Sequence, residues 1–144
     1  MKFSKIKFVM ITIVCALFAL AMGRIFWPPS PLLPMPSAGQ MPFFIIISAV
    51  EAIAFGVGVA FLALMRQSLQ SMPGGQFKKA LAGYISIGWL LVSWWPHDNL
   101  HLHIGHDIQK LLYIEYGFHV TLVVAGLVLA YLFAGFLMRK SQKG

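Results

Sequence analysis

The sequence predicts an all-α integral membrane protein, a bundle of four transmembrane helices in a single membrane domain that covers residues 1–144. Composition is the first reason. The chain is 59% hydrophobic and only 10% charged, whereas soluble proteins carry roughly 25% charged residues. The polar residues are too few to cover a soluble globule, so lipid is expected to cover most of the surface.

Four apolar segments separated by short polar links are the second reason, and each segment predicts one helix. A helix that crosses a bilayer needs about 20 apolar residues. The third segment is shorter, so we expect one of its ends near the membrane interface. The fourth is long enough to tilt or to project from the bilayer. The predicted helices cover residues 8–27, 42–65, 80–95 and 111–138.

The distribution of basic residues predicts the orientation of these helices. Lysine and arginine are concentrated at both ends of the chain and in the link 66–79, whereas the links 24–41 and 96–110 hold only Arg24 and Lys110. Basic residues favour the cytoplasmic side of a membrane. We therefore expect cytoplasmic termini and two outward-facing links, in a bacterial inner (plasma) membrane.

The net charge of +7 comes from 11 basic and 4 acidic side chains. In a soluble protein such an excess suggests nucleic-acid binding. Here the basic residues lie mostly in the short links, where they determine membrane topology. We expect the lipid bilayer as the main partner, and no nucleic acid.

The first apolar segment has two interpretations. A basic start, an apolar run and the small residues Ala21 and Gly23 resemble a secretory signal with its cleavage site. Trp27 favours an uncleaved helix, because an indole ring anchors well at a membrane interface. Cleavage would leave three helices in the same orientation, so both interpretations stay open.

Histidines and aspartates crowd the predicted outer link between the third and fourth helices. Neutral imidazole and carboxylate groups together suit Zn²⁺, Cu²⁺ or Fe²⁺. His97 and His101 would share one face of a helix, whereas the alternation of His101 and His103 with aliphatic residues suits an extended segment. Gly105 is expected to end any helix. The candidate metal ligands in this link are His97, Asp98, His101, His103, His106 and Asp107.

Three further acidic or histidine residues lie within the apolar segments. At about 1.5 Å per residue, Glu51 and His119 both lie about 12–14 Å below the outer ends of their segments. Glu115 is one helical turn above His119. A carboxylate in hydrocarbon is costly and normally has a partner. We therefore expect Glu51, Glu115 and His119 to meet beneath His97 and to contribute metal ligands.

Copper or zinc is the expected ion, with a redox or metal-handling role. Haem b is a less favoured cofactor, because it needs two axial histidines on facing helices and carboxylates surround His119. Two carboxylates beside one histidine also suit a proton relay. A hydrogen bond between Glu51 and His119 or Glu115 that only orients the bundle is a further alternative.

Small residues and prolines support a non-catalytic alternative. Alanine and glycine recur at a spacing of four in the second helix and are frequent in the fourth, and such stripes allow helices to approach closely. The link 27–36 holds five prolines and should be extended. An internal helix seam explains the small residues, and so does an accessory or assembly subunit that packs against other membrane subunits. Whether the chain is an enzyme stays open.

Overall fold

A computed structural model describes residues 4–141, and these residues form five α-helices and no strand. The all-α prediction is therefore confirmed for the described chain. Three of the helices, α1, α2 and α5, are long and apolar enough to cross a membrane, which indicates a membrane protein. The helices are α1 (Lys5–Phe26), α2 (Met41–Gln70), α3 (Gly74–Val92), α4 (Trp94–Ile104) and α5 (Ile108–Ser141).

The helix count differs from the predicted four. Predicted helices 8–27, 42–65, 80–95 and 111–138 correspond to α1, α2, α3 and α5, but α3 has 19 residues and is not among the three helices suited to cross a membrane. The expected outer loop 96–110 is wrong for most of its length, because α4 occupies it. The helical rather than the extended alternative holds for His97 to His103.

Proline and glycine determine where α4 begins and ends. Pro96 has no N–H for the carbonyl of Val92, and its ring clashes with a regular helix at that point. The break between α3 and α4 is limited to Ser93. Ser93 keeps helical backbone angles, and its carbonyl accepts the His97 N–H at 3.2 Å. At the other end Gly105 has φ +64°, a conformation that favours glycine. The expected end of the helix at Gly105 is therefore confirmed.

Helices α1 and α2 pack closely because small residues line their contact. A side chain at Gly56 would collide with the backbone carbonyl of Thr12. Ala19 and Ala52 are buried in the same contact, together with Trp95 of α4. In lipid, close backbone approach and dispersion replace the hydrophobic effect as the force that joins helices.

Helix α3 lies between α2 and α5. Gly88 of α3 packs against Leu62 of α2, and the Trp89 indole N–H donates to the Thr121 hydroxyl of α5 at 3.0 Å. Among the described residues, no Cα atom of α2 lies within 8 Å of a Cα atom of α5. Most large apolar side chains of α5 are exposed, as expected for a helix that faces lipid.

The proline-rich link folds back onto α4. The Ser30 N–H donates to the Leu102 carbonyl at 2.8 Å, and the His103 ring donates from Nδ1 to the Pro28 carbonyl at 2.8 Å. A side chain at Gly105 would collide with Ser30. Part of this link is therefore tied to the helix that carries the histidines.

We expect Gly56→Ala to destabilise the bundle, because the new methyl group must push α1 away from α2. Overpacking typically costs about 1–3 kcal/mol. Gly135→Ala is the matched control, because a methyl group there meets nothing within 4 Å and alanine favours helix by about 1 kcal/mol. Thermal unfolding in detergent, followed by circular dichroism, measures both. Equal melting temperatures for the two variants would contradict the close packing.

The start of α5 should depend on pH through Asp107. Its carboxylate accepts the Lys110 backbone N–H at 3.2 Å and pairs with the Lys110 ammonium at 2.9 Å. The hydrogen bond from the Lys110 ammonium, and after it the bond from the Lys110 backbone N–H, lower the pKa of Asp107 from its ordinary value of 3.8. The stabilisation is thus present above that value and is lost as the pH falls through the lower pKa of the folded chain.

Amide exchange at Lys110 measures this effect. We expect Asp107→Ala to accelerate exchange severalfold at neutral pH, because the helix start loses its cap. Asp107→Asn is the control, since an asparagine cap carries no charge to lose. Its protection should not change as the pH falls from about 5 to 3, whereas that of the unmodified chain should decrease. A parallel response of both proteins would rule out the carboxylate.

Candidate metal centre

The ring nitrogens of His97 and His101 meet on one face of α4. The residues are four apart, so one helical turn brings their side chains together. The distance between the two Nε2 atoms is 3.2 Å. Of the two alternatives that the sequence left open, this contact matches the helical one.

Helix α5 supplies a carboxylate to the same point. Glu115 Oε1 lies 2.6 Å from His101 Nε2. Its second oxygen, Oε2, lies 2.8 Å from His119 Nδ1, one turn further along α5. Glu115 therefore lies between His101 and His119 and joins α5 to α4.

Three ligand atoms converge in this cluster, one each from His97, His101 and Glu115, and all lie within 4.8 Å of one another. Two ligands of a tetrahedral Zn²⁺ ion, each about 2.0–2.1 Å from the metal, lie roughly 3.3 Å from each other. The separation of 3.2 Å between the two imidazole nitrogens matches that value. The contact of 2.6 Å between His101 and Glu115 must lengthen by less than an ångström to admit an ion.

The cluster is buried on one side and open on the other. His97 is only 9% exposed, and its ring stacks on Phe118 with the centroids 3.7 Å apart. Trp94 packs edge-on against Phe118 at 4.9 Å. His101 and Glu115 are 33% and 39% exposed. The aromatic wall thus holds one ligand rigidly while the other two stay accessible.

Asp98 and Glu51 lie behind His97, away from Glu115. Asp98 Oδ1 is 2.9 Å from His97 Nδ1, and the Glu51 carboxyl of α2 lies within hydrogen-bonding reach of Asp98. Glu51 is 8% exposed. We expected its partner to be His119 or Glu115. That expectation is wrong, because α4 lies between α2 and α5 and presents Asp98 to Glu51.

The hydrogen bonds define a consistent set of protons for the metal-free cluster. A neutral imidazole carries one N–H, and Asp98 accepts it at Nδ1 of His97. Nε2 of His97 then carries a lone pair, so the N–H in the centre belongs to His101, which faces both His97 Nε2 and Glu115 Oε1. With neutral imidazoles and ionised carboxylates, one proton would be shared where the three ligand atoms meet, and a metal ion would replace it.

The remaining predicted ligands stay outside this group of three. His103 uses Nδ1 to bind the Pro28 carbonyl. His106 is exposed beyond the end of α4, and Asp107 caps α5. His119 contacts Glu115 through Nδ1 and borders the centre. The sequence prediction named all three members of the group but also more residues than the group contains.

Phe118 is the site residue that sequence reasoning missed. It is buried at 6% exposure and lies between the rings of His97 and Trp94. The only signal was its position in the segment 113–119, three residues after Glu115 and directly before His119. Residues three apart on a helix share a face, which would have placed Phe118 beside the carboxylate.

Comparisons with known protein families, with characterised proteins and with solved structures found no match to this chain.

Proposed function

We propose that this chain binds a divalent transition-metal ion through His97 Nε2, His101 Nε2 and one oxygen of Glu115. The observation that carries the proposal is the convergence of these three ligand atoms from two helices within 4.8 Å of one another. Two imidazoles and one carboxylate are a ligand set that zinc, copper and iron accept.

Zinc or copper(II) fits this ligand set best. Imidazole suits both ions, and the absence of any thiolate beside the cluster makes a site for copper(I) less suitable. The sole cysteine, Cys15, lies on α1. A single ion also fits better than haem b, because the three ligand atoms point to one place whereas haem takes axial ligands on opposite sides of a flat ring.

Partial exposure of two ligands supports a role in metal handling or in redox chemistry within a membrane. Structural zinc sites usually have four protein ligands, whereas three protein ligands leave a position for water or another exogenous group. His101 and Glu115 are each about one third exposed, so an ion there can exchange. The charge distribution of the links supports a location at the outer membrane face.

Removal of one ligand should abolish tight binding. We expect His101→Ala and Glu115→Gln each to lower zinc or copper(II) affinity by more than about 100-fold, beyond the roughly 10–100-fold loss typical when an outer partner of a ligand is removed. The measurement is metal content after purification without chelator, followed by titration against a chromogenic chelator in detergent.

His106→Ala is the matched control, because His106 is an exposed histidine beyond the end of α4 and is not part of the group of three ligands. Its metal affinity should equal that of the unmodified protein. A metal content that stays the same in all three variants would refute the site, and so would an unmodified protein that takes up no zinc or copper after reconstitution.

A second candidate function, an accessory subunit of a larger membrane complex, is favoured by one specific observation on α5. Gly126, Ala130 and Ala134 are exposed and spaced by four, and a methyl group at Gly126 would meet nothing within 4 Å. Among residues 4–141 nothing packs on this stripe, whereas small residues at this spacing commonly line contacts between membrane helices.

Leucine substitutions test this second function. If another membrane helix packs on the stripe, Gly126→Leu and Ala130→Leu should abolish chemical crosslinking between this chain and that neighbour in native membranes, because the larger side chains hold the backbones apart. Val124→Leu is the control, since Val124 is exposed on a different face of α5. An unchanged crosslinking pattern in the stripe variants would argue against an accessory role.

A further inference from the structure

We propose that Asp98 is a positioning residue of the metal centre: it fixes the tautomer and the orientation of His97, and Glu51 holds Asp98 from the other side. This inference rests on the proposed metal-binding function and deepens it. It assigns Asp98 and Glu51 to the support of a ligand rather than to the ligand set.

The first step is the contact between neighbours on α4. Asp98 Oδ1 lies 2.9 Å from His97 Nδ1, and a carboxylate only accepts hydrogen bonds. The single N–H of neutral His97 must therefore be on Nδ1. Nε2 is left with its lone pair, and it is this atom that points to His101 Nε2 at 3.2 Å. A metal-ligating histidine generally gives its other N–H to such a partner.

The Asp98 side chain is in turn held by Glu51 of α2. Asp98 is 38% exposed, so water competes for it unless something holds it. Glu51 of α2 is buried at 8% exposure and lies within hydrogen-bonding reach of Asp98. Two carboxyl groups form a hydrogen bond only when one of them carries a proton. Because Asp98 accepts from His97, the donor in this pair is Glu51.

The hydrogen bond to Asp98 accounts for the buried carboxyl group of Glu51 in α2. An isolated carboxylate in hydrocarbon is costly, but a neutral acid that donates to Asp98 avoids most of that cost. Hydrogen bonds then link Glu51 to Asp98 and Asp98 to His97. Through these bonds α2 is connected to the metal-binding face of α4. The position of α4 relative to α2 is thereby coupled to the orientation of one ligand.

Two substitutions of Asp98 test the assignment by metal titration. Asp98→Leu should lower zinc affinity by about 10–100-fold, the loss typical when the partner of a ligating histidine is removed. Asp98→Asn can still accept the His97 N–H through its amide oxygen, so its loss should be clearly smaller. Equal losses in the two variants, or no loss in Asp98→Leu, would overturn the positioning role.

The tautomer is a second readout, which a merely structural residue would not change. In the metal-free protein, ¹⁵N nuclear magnetic resonance should show His97 protonated at Nδ1 in the unmodified chain and in Asp98→Asn. In Asp98→Leu this preference should be lost. A preserved Nδ1 tautomer in Asp98→Leu would overturn the proposal whatever the metal affinities are.

Glu51 is tested in the same way by a matched pair. Glu51→Gln keeps a donor for Asp98, because the amide carries N–H groups, whereas Glu51→Leu removes it. We expect a loss of zinc affinity in Glu51→Leu that Glu51→Gln largely restores. Glu51→Gln with the larger loss would instead indicate that Glu51 binds the ion directly, and the support role would be wrong.

The two proposals can fail separately. If His101→Ala abolishes zinc binding while Asp98→Leu binds zinc normally, the metal centre stands and the positioning role fails. If the unmodified protein binds neither zinc nor copper, the metal centre fails, and the tautomer measurement on metal-free protein still decides whether Asp98 orients His97.

Discussion

The docking of Trp95 against α1 is the contact on which the rest of the centre depends. Its indole N–H donates to the Ala19 carbonyl at 3.1 Å, and its ring is buried between α1 and α2. Successive residues of a helix point about 100° apart. Once Trp95 faces α1, Asp98 is directed to α2, while His97 and His101 are directed to α5. This eleven-residue helix therefore presents a different chemical group to each of three neighbouring helices, α1, α2 and α5.

Sequence periodicity accounts for the parts of the centre that lie on a single helix. The spacing of four between His97 and His101, and again between Glu115 and His119, predicted two pairs that the structure contains. Apolar length predicted four crossing helices, and three of them, α1, α2 and α5, are long and apolar enough to cross a membrane. Gly105 marked the end of α4. These features follow from the regular geometry of a single helix, which the spacing of residues along the chain determines.

Features that depend on which helices are neighbours could not be predicted in this way. Depth matching placed Glu51 level with His119 and one turn below Glu115, but depth is only one coordinate. Among the described residues, no Cα atom of α2 lies within 8 Å of a Cα atom of α5. The partner of Glu51 is Asp98, which spacing alone could not choose. The helical state of α4 was equally undetermined, because the alternation around His101 and His103 also suits a strand. Tertiary contacts of Trp95 and of the proline-rich link decide in favour of the helix.

Helix α5 packs against the bundle through only a few of its residues, and the cluster adds a polar link that holds it there. Most of the helix faces away from the bundle, and dispersion contacts through a few residues such as Phe118 and Ala125 hold it there. Glu115 adds the direct polar link from α5 to α4. An ion held by Glu115 and the two histidines would replace a shared proton with coordination bonds. Any ligand that binds only the folded arrangement stabilises it, so the ion would fasten α5, the least buried of the three long apolar helices, to α4.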